Sequence, residues 1–142
     1  MGKINIGRVI LGGLIAGLIL NIGEVVLNLG ILGQQWAAAM KALGKPEELT
    51  GIQIFGLNIR EFMIGLVAIW TYAGFRPRFG AGVRTAVIAG ITIWLAVRVS
   101  GFFSWTFTGV FPADFMLVHT VVGFFELIIA TIAGAWLYKE EA

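Results

Sequence analysis

The chain contains no cysteine, a single histidine (His119) and a single aspartate (Asp114), and only 13% of its residues are charged. Without cysteine there are no disulfides, thiolate metal sites or cysteine nucleophiles. One histidine makes a poor metal centre, because zinc and copper sites draw on three or four ligands. The lone aspartate falls at the end of an apolar stretch and does not support an intramembrane aspartyl site. No G-x-S-x-G, H-E-x-x-H or P-loop spacing occurs, so the expectation is a protein without catalysis. The basic residues form no stripe interleaved with exposed aromatics, which leaves nucleic acid out as a partner. So few charges could not keep a soluble domain of this size in solution.

What fills the 142 residues is apolar. Hydrophobic residues make up 58% of the chain, and the mean hydropathy is +0.92. The 20 glycines sit inside apolar runs, where membrane helices use them for close packing. A spanning helix needs about 20 mostly apolar residues, and four segments qualify: Val9–Leu32, Ile52–Phe75, Val83–Phe107 and Phe115–Leu137. The second is interrupted by Arg60 and Glu61, but without them Phe62–Phe75 is too short to cross. The predicted fold is therefore all-α, a single four-helix transmembrane domain. Lys3 and Arg8 ahead of an apolar run resemble a signal peptide, yet no small-x-small cleavage site follows, so a retained first helix is expected. Met1-Gly2 lacks the Ser or Thr a myristoylation site requires, since Ile6 stands there.

Gly33–Gly51 forms the longest loop. Its Ala-rich part, Gln34–Leu43 with Trp36 and Met40, reads as a short interfacial helix, followed by a turn at Lys45-Pro46-Glu47-Glu48. The second connection, Arg76–Gly80, is basic; the third, Thr108–Pro112, is nearly uncharged. Lys3, Arg8, Arg76, Arg78, Arg84 and Lys139 fall on one side of the spans, and Lys41 and Lys45 on the other. The positive-inside rule places the first side in the cytoplasm, with both termini and the aqueous tail Lys139–Ala142. Trp36, Trp105 and Tyr138 lie near span ends, as an aromatic belt requires.

Five charged residues, Glu24, Arg60, Glu61, Arg98 and Glu126, fall deep inside the spans. On the first helix Gly13, Gly17, Asn21, Glu24 and Asn28 share an arc of about 80°, small at one end and polar at the other. Gly13 and Gly17 stand at the GxxxG spacing of close helix contact. On the fourth, His119, Gly123, Glu126, Ala130 and Ala133 share a face. In the second, Glu61 lies with Gly65, Ala68 and Tyr72, and Arg60 stands a quarter-turn away. Arg98 lies near the middle of the third, with Trp94 and Trp105 on its side. An unpaired charge at this depth costs roughly 2.5–3.5 kcal/mol on insertion scales. The prediction is a buried cluster in which Arg98 pairs with Glu24, Glu126 or both, with Arg60 and Glu61 nearby.

A purely structural reading makes this cluster an ionic core that sets which helix faces which. A functional reading makes it a proton or ion path, or a polar ligand pocket, with Asn21, Asn28 and His119 extending it. His119 could join Glu126, two turns further in, or be hydrogen-bonded near the interface. As a haem ligand it would have Met116 one turn away.

Three stretches carry a resemblance. Asn5-Ile6-Gly7-Arg8-Val9-Ile10-Leu11-Gly12-Gly13, Arg76-Pro77-Arg78-Phe79-Gly80 and Gly134-Ala135-Trp136-Leu137-Tyr138-Lys139 are similar to the start, cytoplasmic turn and end of a family of small four-helix membrane proteins of bacteria. That family has no established activity, so the resemblance implies the fold and a bacterial cytoplasmic membrane and transfers no site residue. It also implies a more uniformly apolar second helix, which makes Arg60 and Glu61 particular to this chain. Three functions remain open. The leading one is an accessory or scaffold subunit of a larger membrane complex, held in the lipid bilayer and associating with other subunits or with itself through small-residue faces at Gly13, Gly17 and Gly123. The second is an oligomeric transporter or channel coupled to protons or cations at Glu24 and Glu126. The third is a protein holding a cofactor at His119; the leading reading has none.

Overall fold

Asn5 opens the fold. In the computed structural model, which describes residues 3–140, its side chain accepts a hydrogen bond from the Arg8 N–H at 3.0 Å and satisfies an orphan donor of the first turn. Helix α1 runs Ile6–Ile31, α-helical to Val25 and wound as a wider π-helix over Val26–Ile31. A short α2, Gly33–Ala42, follows directly. Helix α3, Gly51–Phe79, starts on a capping box between Thr50 and Gln53, which ties the free N–H groups of its first turn reciprocally. Helix α4, Val83–Phe107, carries a second π-helical stretch at Leu95–Val99. Helix α5, Ala113–Trp136, follows Pro112 and has Asp114 in its first turn, where a carboxylate suits the helix dipole. No strand occurs among the described residues. The expectations placed on Met1-Gly2 and on Glu141-Ala142 lie outside them.

Helices α1, α3, α4 and α5 are each long and apolar enough to cross a membrane. Their bounds differ from the sequence reading mainly at α3. Arg76–Gly80, expected as a connection, is largely its last turn. Pro77 lies inside that turn, where it gives up the bond its own N–H would have made and its ring crowds the carbonyl four residues back, and Arg76 and Arg78 stand at the end where cations suit the dipole. Gly80 stops the helix with a φ of +83° while its N–H closes onto the Arg76 carbonyl at 2.9 Å. α1 and α5 begin earlier than predicted, at Ile6 rather than Val9 and at Ala113 rather than Phe115, and end one residue sooner, at Ile31 and Trp136. α4 keeps the predicted range.

The four long helices form a ring in the order α1, α3, α4, α5, so α1 and α4 are diagonal to each other. Glycines set the closest approaches. A methyl group built on Gly65 of α3 would lie 2.5 Å from the Gly13 carbonyl oxygen and 2.8 Å from the Gly17 Cα. Gly12 and Gly134 meet in the same way on the other side of α1, each methyl falling 2.5 Å from the other's carbonyl oxygen. The GxxxG face of α1 is thus occupied by α3 of the same chain, as the Gly123 face is by Arg98, and neither is open to another subunit. Ala16, Leu20, Ile69, Ala89 and Leu127 are wholly buried around these contacts. The outward surface is apolar instead, with Leu29 and Phe107 each 79% exposed. The helices bury least at the α2 end: neither Gly51–Arg60 of α3 nor Ser100–Phe107 of α4 contains a buried residue.

Gly65→Ala is therefore expected to destabilise the fold by about 1–3 kcal/mol through overpacking. Gly74→Ala, where nothing lies within 4 Å of the added methyl, is expected to be neutral or to stabilise by up to about 1 kcal/mol. Thermal unfolding of the two variants in detergent, side by side, checks both.

Candidate functional site

Arg98 belongs to the π-helical stretch of α4. A π-turn shifts the register of the residues it contains relative to a regular helix, and Arg98 points across the bundle with a side chain only 4% exposed. Its Nη2 pairs with Oε1 of Glu24 on the diagonal helix α1. The same nitrogen lies 3.5 Å from Glu61 Oε2 on α3 and 3.8 Å from Glu126 Oε2 on α5. One guanidinium nitrogen thus faces a carboxylate from each of the other three long helices.

Two glycines make room for this arrangement. A methyl on Gly123 would fall 2.9 Å from both Cγ and Nε of Arg98, so the stem of Arg98 lies in the gap that glycine leaves on α5. A methyl on Gly23 would fall 2.5 Å from Glu126 Oε1, so the Glu126 carboxylate occupies the equivalent gap on α1. Nearby, the Trp94 indole N–H donates to the Thr120 carbonyl at 2.8 Å and ties α4 to α5.

Glu24 is the best-connected carboxylate. Its Oε2 accepts from Asn28 Nδ2 at 2.7 Å and lies 3.3 Å from His119 Nε2. Asn28, within the first π-stretch, also donates to the Glu24 carbonyl at 2.9 Å. Arg60 pairs with Glu61 from a position 45% exposed. The structure therefore joins Glu24, Asn28, Arg60, Glu61, Arg98, His119 and Glu126. Asn21 stays apart: it donates to the Gly17 carbonyl at 2.8 Å and reaches the Asn58 carbonyl at 3.4 Å. Gly13 and Gly17 serve packing alone, whereas Gly123 serves the cluster.

The cluster lies between two apolar layers. Toward the termini stand the buried Leu20, Ile64, Leu127 and Ala130. Toward α2 stand Leu27, Leu32, Phe115 and Met116, over which Trp36 stacks on Phe111 with centroids 5.8 Å apart. Phe115 is in turn 6.0 Å from the His119 ring. Met116 packs in this apolar layer, and His119 Nε2 faces Glu24, so a haem using both would have to displace that carboxylate. Among the described residues no three metal-ligating side chains stand within reach of one ion.

The charges do not balance within the group. Two guanidinium groups face three carboxylates, which leaves one negative charge in excess unless a proton is added. Hydrogen bonding is incomplete as well: Glu126 Oε2, Arg98 Nε and Asn28 Oδ1 are buried without a hydrogen-bond partner. Such gaps call for a specific explanation, because buried polar atoms are nearly always paired.

Sequence periodicity brought the charged residues to one depth and one interior. It missed the two π-helical stretches, which leave no mark in hydropathy, and the part played by Gly23. The signal for Gly23 was a glycine at the depth where Glu126 had to find space. No protein-family model, curated protein or solved structure matches the chain.

Replacing Arg98 with methionine leaves three carboxylates around an apolar side chain. The expected loss is about 3–5 kcal/mol, the range for one partner removed from a buried ionic group. Arg60→Met, at a half-exposed site, is expected to cost clearly less. Denaturation of both variants in the same detergent tests this order.

Proposed function

We propose that the chain is an integral membrane protein that binds protons at the Arg98 cluster and passes them across the bilayer. The observation that carries this reading is the convergence of three carboxylates on one guanidinium nitrogen, with Glu126 Oε2 buried and without a hydrogen-bond partner. An uncompensated carboxylate in hydrocarbon costs roughly 2.5–3.5 kcal/mol, and a proton taken up by the group offsets that cost. Arg98 can then favour whichever carboxylates remain ionised. His119, in contact with Glu24, extends the group toward α2 and is the residue placed to relay a proton at that end. The chain would lie in a bacterial cytoplasmic membrane with both termini inside, as the basic residues at that end favour. The resemblance to small four-helix membrane proteins of bacteria belongs to the same proposal and brings no activity with it.

A second reading, the accessory subunit, draws support from a different observation. The α2 ends of α3 and α4, Gly51–Arg60 and Ser100–Phe107, contain no buried residue. A partner helix would lie there, because the glycine faces are already filled. The cofactor reading has no observation of this kind in its favour.

Proteoliposomes with a trapped pH indicator distinguish these readings. Under an imposed pH gradient, wild-type vesicles are expected to equilibrate faster than empty ones. Glu126→Gln should return the rate to that of empty vesicles while keeping the wild-type melting profile. Wild-type flux equal to the empty-vesicle rate would rule out proton passage by this chain alone. Stoichiometric co-purification with larger membrane chains would then support the accessory reading.

A further inference from the structure

At the end of the bundle that carries both termini, Arg76 is held in a cage of aromatic rings. Its guanidinium carbon lies 5.1 Å from the ring centroid of Tyr138 and 5.9 Å from that of Tyr72. The two rings meet edge to face with centroids 5.8 Å apart. The cation–π contacts fix the guanidinium in place without supplying it a hydrogen-bond acceptor. Each phenol oxygen already accepts a backbone N–H: Tyr72 from Gly82 at 3.2 Å, and Tyr138 from Asn5 at 3.4 Å. Their own hydroxyl hydrogens remain to be donated.

The cage is rich in donors and poor in acceptors. Nε and Nη1 of Arg76 are buried and have no hydrogen-bond partner among the described residues. The nearest carboxylate among the described residues, Glu140, stands 3.6 Å from Nε, beyond hydrogen-bond length. Glu140 is also the one carboxylate at this end among the described residues, against Lys3, Arg8, Arg78, Arg84 and Lys139 besides Arg76. A general bias of basic residues toward the cytoplasm explains their number. It does not explain why one of them is stacked on two tyrosines, 18% exposed, with Glu140 at 3.6 Å as its one facing carboxylate among the described residues.

We propose that the Arg76 cage binds a phosphate group. A planar guanidinium is the side chain best suited to hold two phosphate oxygens at once, and the two tyrosine hydroxyls supply further donors. The phosphate displaces Glu140, which occupies the approach as a weak internal substitute. Two sources share this chemistry. One is the headgroup of an anionic phospholipid, which sits at this level if the four apolar helices cross a bilayer, and basic pockets at the ends of spanning helices are known to take such headgroups. The other is soluble phosphate. The proposal does not depend on proton passage, and its test is read without flux.

The full-length protein in uncharged detergent is melted with added phosphatidylglycerol, phosphatidylcholine or inorganic phosphate. Phosphatidylglycerol is expected to raise the midpoint of the wild type and of Arg84→Gln, a control that loses one charge outside the cage, and to leave Arg76→Gln unmoved. Phosphatidylcholine should move none of them. A rise with inorganic phosphate alone, absent in Arg76→Gln, supports the cage with a soluble source. Glu140→Gln, which leaves the fold's apolar contacts intact, should reach the same rise at a lower ligand concentration. The proposal is overturned if the wild type responds to neither phosphate source. It is equally overturned if Arg76→Gln responds as the wild type does, or if Glu140→Gln responds only at the wild-type concentration.

Discussion

Arg98 has to reach across the bundle, because the carboxylates it neutralises come from α1, α3 and α5 and none of those helices carries a buried cation of its own. Glu24, Glu61 and Glu126 bring three negative charges into an interior otherwise lined by leucine, isoleucine and alanine. A single buried ion of this kind is unfavourable by several kcal/mol unless paired. Arg98 is the only arginine that is itself buried, so its position fixes the rotation of the three helices that face it. Turn α1, α3 or α5 about its axis and one carboxylate loses its partner.

The glycines follow from that constraint. Gly23 and Gly123 admit the Glu126 carboxylate and the Arg98 stem, while Gly12, Gly13, Gly17, Gly65 and Gly134 bring backbones close enough to seal the half of the bundle nearer the termini. The result is asymmetric. One half is held by backbone contacts and wholly buried apolar side chains. The other has α3 and α4 with no buried residue and is closed over the cluster by aromatic stacking from α2. Local opening falls more readily on the second half, where few buried contacts resist it.

Much of this was legible in the residue pattern. Hydropathy located all four long helices, each long and apolar enough to stand out even where Arg60 and Glu61 interrupt the second. Helical phase put Glu24, Glu61 and Glu126 on interior faces together with small residues. The turn at Arg76-Pro77-Arg78 misled, since proline and two charges read as a break, while the helix runs through Pro77 to Phe79. The GxxxG face was recognised, but periodicity cannot distinguish a partner within the chain from one outside it. The π-helical stretches at Val26–Ile31 and Leu95–Val99 were invisible for a similar reason. Each holds a residue that contacts Glu24, Asn28 from the same helix and Arg98 from across the bundle, and hydropathy carries no mark of either.

The account's central claim, that Arg98 serves as the shared counter-charge of the cluster, is tested most directly by the energetic coupling between Arg98 and Glu24. Each is replaced by a neutral residue, singly and together, and unfolding free energies are compared in one detergent. A shared ionic group predicts non-additivity: the double variant loses less than the sum of the single losses, by more than about 1 kcal/mol, because removing either partner strands the other. Additive losses would contradict the claim and leave the convergence of charges on Arg98 without an energetic role.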